Sequence, residues 1–403
     1  KKEAKAGIYR VRKLDAKRMD DPWGRRLNFT EMTATDLLQY ITLQYITDDR
    51  PVVRSRAIEQ LVIKGASAVE EIKHTLLSST NEEARTAAVF MLYRINEPGS
   101  AMEAIRAALD DKSAMVRTAT ARVLGLSKDR SSVTKLMELA QADEAPVRRE
   151  AATALGRIGD REAISALIKA SSNPNDRFVE HAVIYALITL GSPEPLIGAL
   201  TDTAVNARKA ALIALDQMDG SPLKKSHLAP FLNSENEQLQ NAGIWVARHH
   251  PDWADVAVDF LRNNLSADKL TADRQASISD LMIVFSANAS MQQFITAQLS
   301  NKALSLSGRK LLLDVIQHAD VEKLPGAWIG QLGHLLRSND HEIRSEALNT
   351  IKSRRIASLN NELNRIIGDA KTSTDFRLKA LGARLMSEPA LTDAGACFNR
   401  CRI

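Results

Sequence analysis

The sequence predicts an all-α chain, a right-handed α-solenoid of about eleven stacked helix pairs. Three observations carry this. Helix starts recur at Arg54, Arg85, Arg117, Arg148, Glu180, Arg208, Gln240, Arg274, Arg309, Arg344 and Arg377, spaced 28 to 35 residues apart, a period typical of paired-helix repeats. Behind the starts, apolar residues keep helical spacing. Composition agrees, because 44% hydrophobic but only 4% aromatic residues suit thin helix pairs better than one large globular core.

The chain opens with residues that do not fit the repeat. Gly7-Ile8-Tyr9-Arg10-Val11-Arg12 alternates apolar and basic side chains, the pattern of a strand. Lys13 to Asn28 reads as a charged connector broken by Pro22 and Gly24, leading to a first helix near Thr33 to Tyr45. From there one frame repeats. Val53, Ala57 and Leu61 precede Gly65; Val147, Ala151, Ala154, Leu155 and Ile158 precede Gly159; Val179, Val183, Ala186, Leu187 and Leu190 precede Gly191. Each set lies on one helical stripe, and the glycine supplies the left-handed residue that stops the helix. A second helix follows each stop, as with Ala163, Ile164, Leu167 and Ile168, or after Ser192 with Pro193 and Pro195 in the first turn.

This pattern resembles the HEAT-repeat family over residues 31–388. An aspartate six residues before the arginine is frequent in that family, and Asp48 and Arg54, Asp111 and Arg117, Asp202 and Arg208, and Asp268 and Arg274 keep the spacing. An acid at a helix N-terminus and an arginine in its first turns can join orphan backbone groups to the next repeat's acid, so these residues, with Arg148 and Arg344, are expected to form a structural ladder. Arg148, Arg309 and Arg377 lack the aspartate, and Glu180 and Gln240 replace the arginine. Residues 170–250 are therefore where irregular stacking is expected.

The net charge of +5 is concentrated at the ends: residues 1–30 carry ten Lys/Arg against four Asp/Glu, and 352–403 carry ten against five, which leaves 31–351 at −6. A DNA-binding array, such as the alkylation-repair type, should place its positive charge along its length, and the shortage of aromatics removes stacking platforms. No nucleic-acid partner is expected. No apolar run approaches the about 20 residues of a membrane span.

The segment Ala6 to Arg12, then Asp21-Pro22-Trp23-Gly24, then HEAT-like repeats, is similar to a junction in large bacterial membrane-bound dehydrogenases, where a sugar-dehydrogenase-like propeller precedes the repeats and a c-type cytochrome follows. The resemblance implies that 1–30 ends an upstream domain plus a basic linker, that 31–388 is the array, and that 389–403 leads to a further module. It also implies a periplasmic or cell-envelope location and a parent protein holding haem c and a quinone. The chain, opening Lys1-Lys2-Glu3, then reads as a fragment. Cys397 and Cys401 stand as C-x₃-C with no histidine after them. This is not the C-x-x-C-H of haem attachment, leaving incidental thiols, a local disulfide or a metal half-site.

Candidate chemistry is sparse. No histidine stands in H-E-x-x-H or at zinc-finger spacing, and no phosphate-binding or nucleophile-elbow glycine motif occurs. His249-His250-Pro251-Asp252-Trp253 is the densest cluster, read as a helix exit whose imidazoles complement the dipole. Asp110, Asp111, Asp20 and Asp21 read as caps and loop acids. Trp23, Trp245, Trp253 and Trp328 read as fillers between repeats. The expectation is a scaffold for a protein partner or adjacent domains, with no catalytic, cofactor or metal site in the chain itself. A HEAT-like lyase or isomerase acting on a tetrapyrrole chromophore is the enzymatic alternative, set aside because no convergent Cys/His site is visible.

Overall fold

A computed structural model describes residues 21, 23–40, 51–96, 99–174, 176–265 and 272–387. These are helices and short turns, with no strand among the described residues. The expected strand at Ile8–Arg12, and Asp48, Asp268, Cys397 and Cys401, lie outside them.

The chain divides into two compact units between Pro195 and Leu196. Unit 1 contains α1 (Ala34–Gln39), α2 (Pro51–Lys64), α3 (Val69–Ser78), α4 (Glu82–Ile95), α5 (Ser100–Ala107), α6 (Ala114–Leu126), α7 (Val133–Ala142), α8 (Ala145–Ile158), α9 (Ile164–Ser171) and α10 (Arg177–Leu190), and α11 (Pro193–Ala199) crosses the division. Unit 2 contains α12 (Val205–Gln217), α13 (Lys225–Leu232), α14 (Glu237–Ala247), α15 (Ala254–Asn264), α16 (Ala272–Val284), α17 (Ala289–Ser300), α18 (Leu306–His318), α19 (Gly326–Leu335), α20 (His341–Ser353), α21 (Asn360–Gly368) and α22 (Thr374–Ser387).

Within each unit, even-numbered helices pack on even and odd on odd, while most odd helices also pack on the even one after them, as α7 does on α8 and α21 on α22. Every repeated anchor falls on an even helix, from Arg54 on α2 to Arg377 on α22. The stripe Val147, Ala151, Ala154, Leu155 and Ile158 is buried, and Gly159 stops α8 with φ of 79°. Gly191 stops α10 in the same left-handed conformation, at 61°.

Two further glycines set the spacing of the even layer. A Cβ at Gly125 would sit 2.7 Å from the Ala154 Cα, and one at Gly156 would sit 3.0 Å from the Ala186 Cα. Thus α6, α8 and α10 approach backbone to backbone, which leaves room only for hydrogen atoms at the contact.

Candidate functional site

The arginine register has the same geometry at two successive repeats of unit 1, those of Arg85 and Arg117. The Arg85 guanidinium donates from Nε and one Nη to the two Asp111 carboxylate oxygens, at 2.7 and 2.8 Å, and from its other Nη to the Ser79 carbonyl at 2.9 Å. Arg117 does the same one repeat later. It grips the Asp143 carboxylate at 2.8 and 2.5 Å and the Asp111 carbonyl at 2.8 Å. Asp111, six residues before Arg117, therefore offers that arginine its carbonyl, while its carboxylate serves Arg85 of the preceding repeat. Burial would raise the Asp111 pKa, but the Arg85 hydrogen bonds, the Ser113 N–H and nearby Lys112 outweigh it and hold the carboxyl below its ordinary value.

Elsewhere the register satisfies its arginines differently. Arg148, 5% exposed, has no acid partner; its donors reach the carbonyls of Ala140, Ala170, Asn173 and Pro174, and burial lowers its pKa. Arg208 donates to the Leu200 carbonyl and lies over Phe231, while Asp202 accepts instead from the Ala204 N–H. Arg274 donates to Asn264 Oδ1 at 2.7 Å. Gln240 reaches the Leu232 carbonyl at 2.8 Å, so an amide replaces the guanidinium where only carbonyls are met. Arg344 lies 4.3 Å over the Phe376 ring and makes no ion pair among the described residues. Sequence reasoning missed a second set of pairs, the two-point contacts of Arg106 with Asp129 and of Arg122 with the buried Glu150.

The one convergence of acid and base side chains that the sequence reading discounted lies in unit 2. Asp216 ends α12, and His249 and His250 sit in the turn after α14. The Asp216 carboxylate, 1% exposed, meets His249 Nδ1 and His250 Nε2, each at 2.7 Å, and accepts from Gln217 Nε2 at 2.6 Å. A carboxylate only accepts, so both of those ring nitrogens carry protons. In a neutral His249 the lone pair is then on Nε2, and the ring is 41% exposed. His250 stacks on Trp253 with centroids 3.8 Å apart and 6° between planes, which fixes it. His249 stands edge-on to Trp245, at 4.3 Å and 85°.

The two histidines are thus bound to a neighbouring repeat's acid and do not simply complement their own helix dipole. The available signal was distance: Asp216 and His249 are separated by one repeat period, so stacked helices bring them together. The tryptophans also divide. Trp253 and Trp328 are buried as expected, whereas Trp245 at 41% and Trp23 at 56% are exposed.

The HEAT repeats family matches residues 102–188, which span α5 to α10. The bilin biosynthesis protein PecE of Nostoc is 27% identical over 182 residues, 44% of this chain and 69% of that protein. Human deoxyhypusine hydroxylase is 37% identical over 109 residues, 26% of this chain and 36% of that one. The solved complex of CpcE and CpcF of phycocyanin lyase from Nostoc is 18% identical, covering 72% of this chain and 96% of that one at a TM-score of 0.28, too loose for any argument. The expectation that the chain has no activity of its own is corrected by these matches, because the relatives are named as a bilin biosynthesis protein and as deoxyhypusine hydroxylases. The resemblance to membrane-bound dehydrogenases, with its haem and periplasmic setting, finds no support in them. No described helix is long and apolar enough to cross a membrane.

Proposed function

We propose that this HEAT-repeat chain is an enzyme of the chromophore-lyase type, acting on a bilin-like tetrapyrrole, with His249 as its proton-transfer group. The observation that carries the reading is the match to PecE, which spans more than two thirds of that protein. The Asp216 centre supports it chemically. Adding a group across a double bond, or eliminating it, requires a proton to be delivered or removed at carbon or at the attacking atom. Asp216 holds His249 in the tautomer that leaves Nε2 facing outward as base, and it stabilises the imidazolium once formed, as the carboxylate of a catalytic triad does. Exposed Trp245 beside it offers an aromatic edge and face to a flat conjugated ligand. In the same reading the arginine register is a structural ladder that holds the helices carrying the site, and the chain meets a protein partner.

Hydroxylation is less well supported. It draws on an oxygen-activating cofactor, and the described residues contain no group of three or more His, Cys, Asp or Glu suited to a metal. The Asp216 trio does not fit one, since both carboxylate oxygens are taken by imidazole N–H groups.

The test is to add bilin to the full chain, record the visible band, and follow bond formation or cleavage with a bilin-accepting protein. The parent should shift the band and turn over. His249→Gln should keep the shift and lose turnover by about 100-fold or more, and Asp216→Asn, which reverses the hydrogen bond and hence the tautomer, should lose a similar factor. A parent that neither shifts the band nor turns over would overturn the reading.

A further inference from the structure

Unit 2 contains a cavity of about 480 Å³ between the turn before α20 and the turn after α21, lined by Arg337, Arg344 and Arg365 together with Glu362 and Asp369. It occupies the place in the register where the ladder pair is missing. By analogy with Arg85 and Arg117, which each bind an acid 26 residues on, Arg344 should find Asp369, 25 residues on. Asp369 is instead closed on its own turn, accepting from the Lys371 N–H at 3.0 Å and the Thr372 hydroxyl at 2.9 Å. Arg344 is left with its guanidinium carbon 4.3 Å from the centroid of the buried Phe376 ring, and among the described residues its buried Nε has no hydrogen-bond partner.

We propose that this cavity binds a small carboxylate bearing a hydroxyl or ammonium donor on the adjacent carbon, an α-hydroxy or α-amino acid. A guanidinium covered on one face by a ring keeps all its donors in its plane, and Arg344 is one of the residues that line the cavity. A planar two-oxygen anion matches such an edge, as the Asp111 carboxylate matches Arg85. Arg337 adds positive charge loosely, since its nearest Glu362 oxygen is 3.9 Å away, and Arg365 is exposed. Glu362 and Asp369, interleaved with these cations in the lining, call for a donor on the ligand and disfavour a dianion such as phosphate. The volume lies within the range of small-ligand sites. The inference is independent of the lyase reading, because the cavity lies on other repeats and its readout is binding.

The experiment is calorimetric titration of the full chain with glycerate, L-glutamate, propionate and inorganic phosphate. Glycerate or glutamate should bind saturably with a dissociation constant of about 1 mM or tighter, and propionate at least about tenfold more weakly. Arg344→Lys, which keeps the charge and loses the fork, should weaken binding about tenfold or more with unchanged helicity. Arg365→Gln, at an exposed position with no packing role, should weaken it severalfold and provides the readout if the first variant unfolds. Absence of saturable binding, phosphate binding as tight as glycerate, or a folded Arg344→Lys with parental affinity would each overturn the proposal.

Discussion

Replacing Arg85 with alanine is the sharpest test of how the even layer holds together. Arg85 is 3% exposed and makes three charge-assisted contacts, two to Asp111 and one to the Ser79 carbonyl. Hydrogen bonds to charged groups contribute about 1.5 to 3 kcal/mol each, and truncating one partner of a buried pair costs about 3 to 5 kcal/mol because the other charge is stranded. The stranded Asp111 side chain is 11% exposed and keeps the Ser113 N–H at 2.8 Å, so water and one remaining donor soften the loss. The expected cost is therefore toward the lower end, about 3 kcal/mol. Hydrogen exchange of α4 and α6 amides reads it locally, where a whole-chain melt would mix two units. Adding Asp111→Asn should recover part of the loss, since the stranded charge goes with it. The pH dependence has a fixed sign. Asp111 has a lower pKa folded than unfolded, so its contribution is full above about pH 4 and is lost as pH falls through the folded value. The gap between parent and Arg85→Ala should narrow on acidification. A variant whose α4 and α6 amides exchange like the parent's within about 0.5 kcal/mol at neutral pH would refute the argument.

Gly125→Ala should destabilise unit 1 by about 1 to 3 kcal/mol, measured by urea unfolding, because its Cβ would overlap the Ala154 backbone. Gln240→Ala should cost about 1 to 2 kcal/mol in hydrogen exchange of α14 by leaving the Leu232 carbonyl without its donor. Duplex DNA should show no sub-micromolar mobility shift at about 150 mM salt, since residues 31–351 carry a charge of −6 and only the ends are basic.

The helix pairs were legible because an anchor recurred at each repeat and, at α2, α8 and α10, coincided with an apolar stripe and a stopping glycine. At Val147 to Gly159 all three hold in the structure. Which atom of each aspartate meets which arginine was not legible, since Asp111 is six residues from Arg117 and 26 from Arg85, and only stacking decides between carbonyl and carboxylate. The Asp216 centre was hidden for a related reason. Local motifs report groups brought together by one helix or loop, whereas Asp216 and His249 meet only because consecutive even helices stack. The loss of the Arg344 partner was equally invisible, because Asp369 stands at nearly the right distance and is turned away by two hydrogen bonds of its own turn. The division at Pro195 falls within residues 170–250, where Glu180 and Gln240 interrupt the arginine series.

The double use of Asp111 bears on how such a chain can change length. Its carboxylate closes the joint behind it, on Arg85, and its carbonyl steadies Arg117, which closes the joint ahead on Asp143, so these two repeats each bring one socket and one plug of the same design. Excising residues 86–117 would bring Arg85 into the place of Arg117, facing Asp143, so the ladder closes again, while Asp129, 9% exposed, would lose Arg106. Cutting half a repeat would strand either a guanidinium or a carboxylate. Over this stretch, insertion and deletion are tolerated in whole repeats and penalised in fractions, so length variants should differ by steps of about thirty residues.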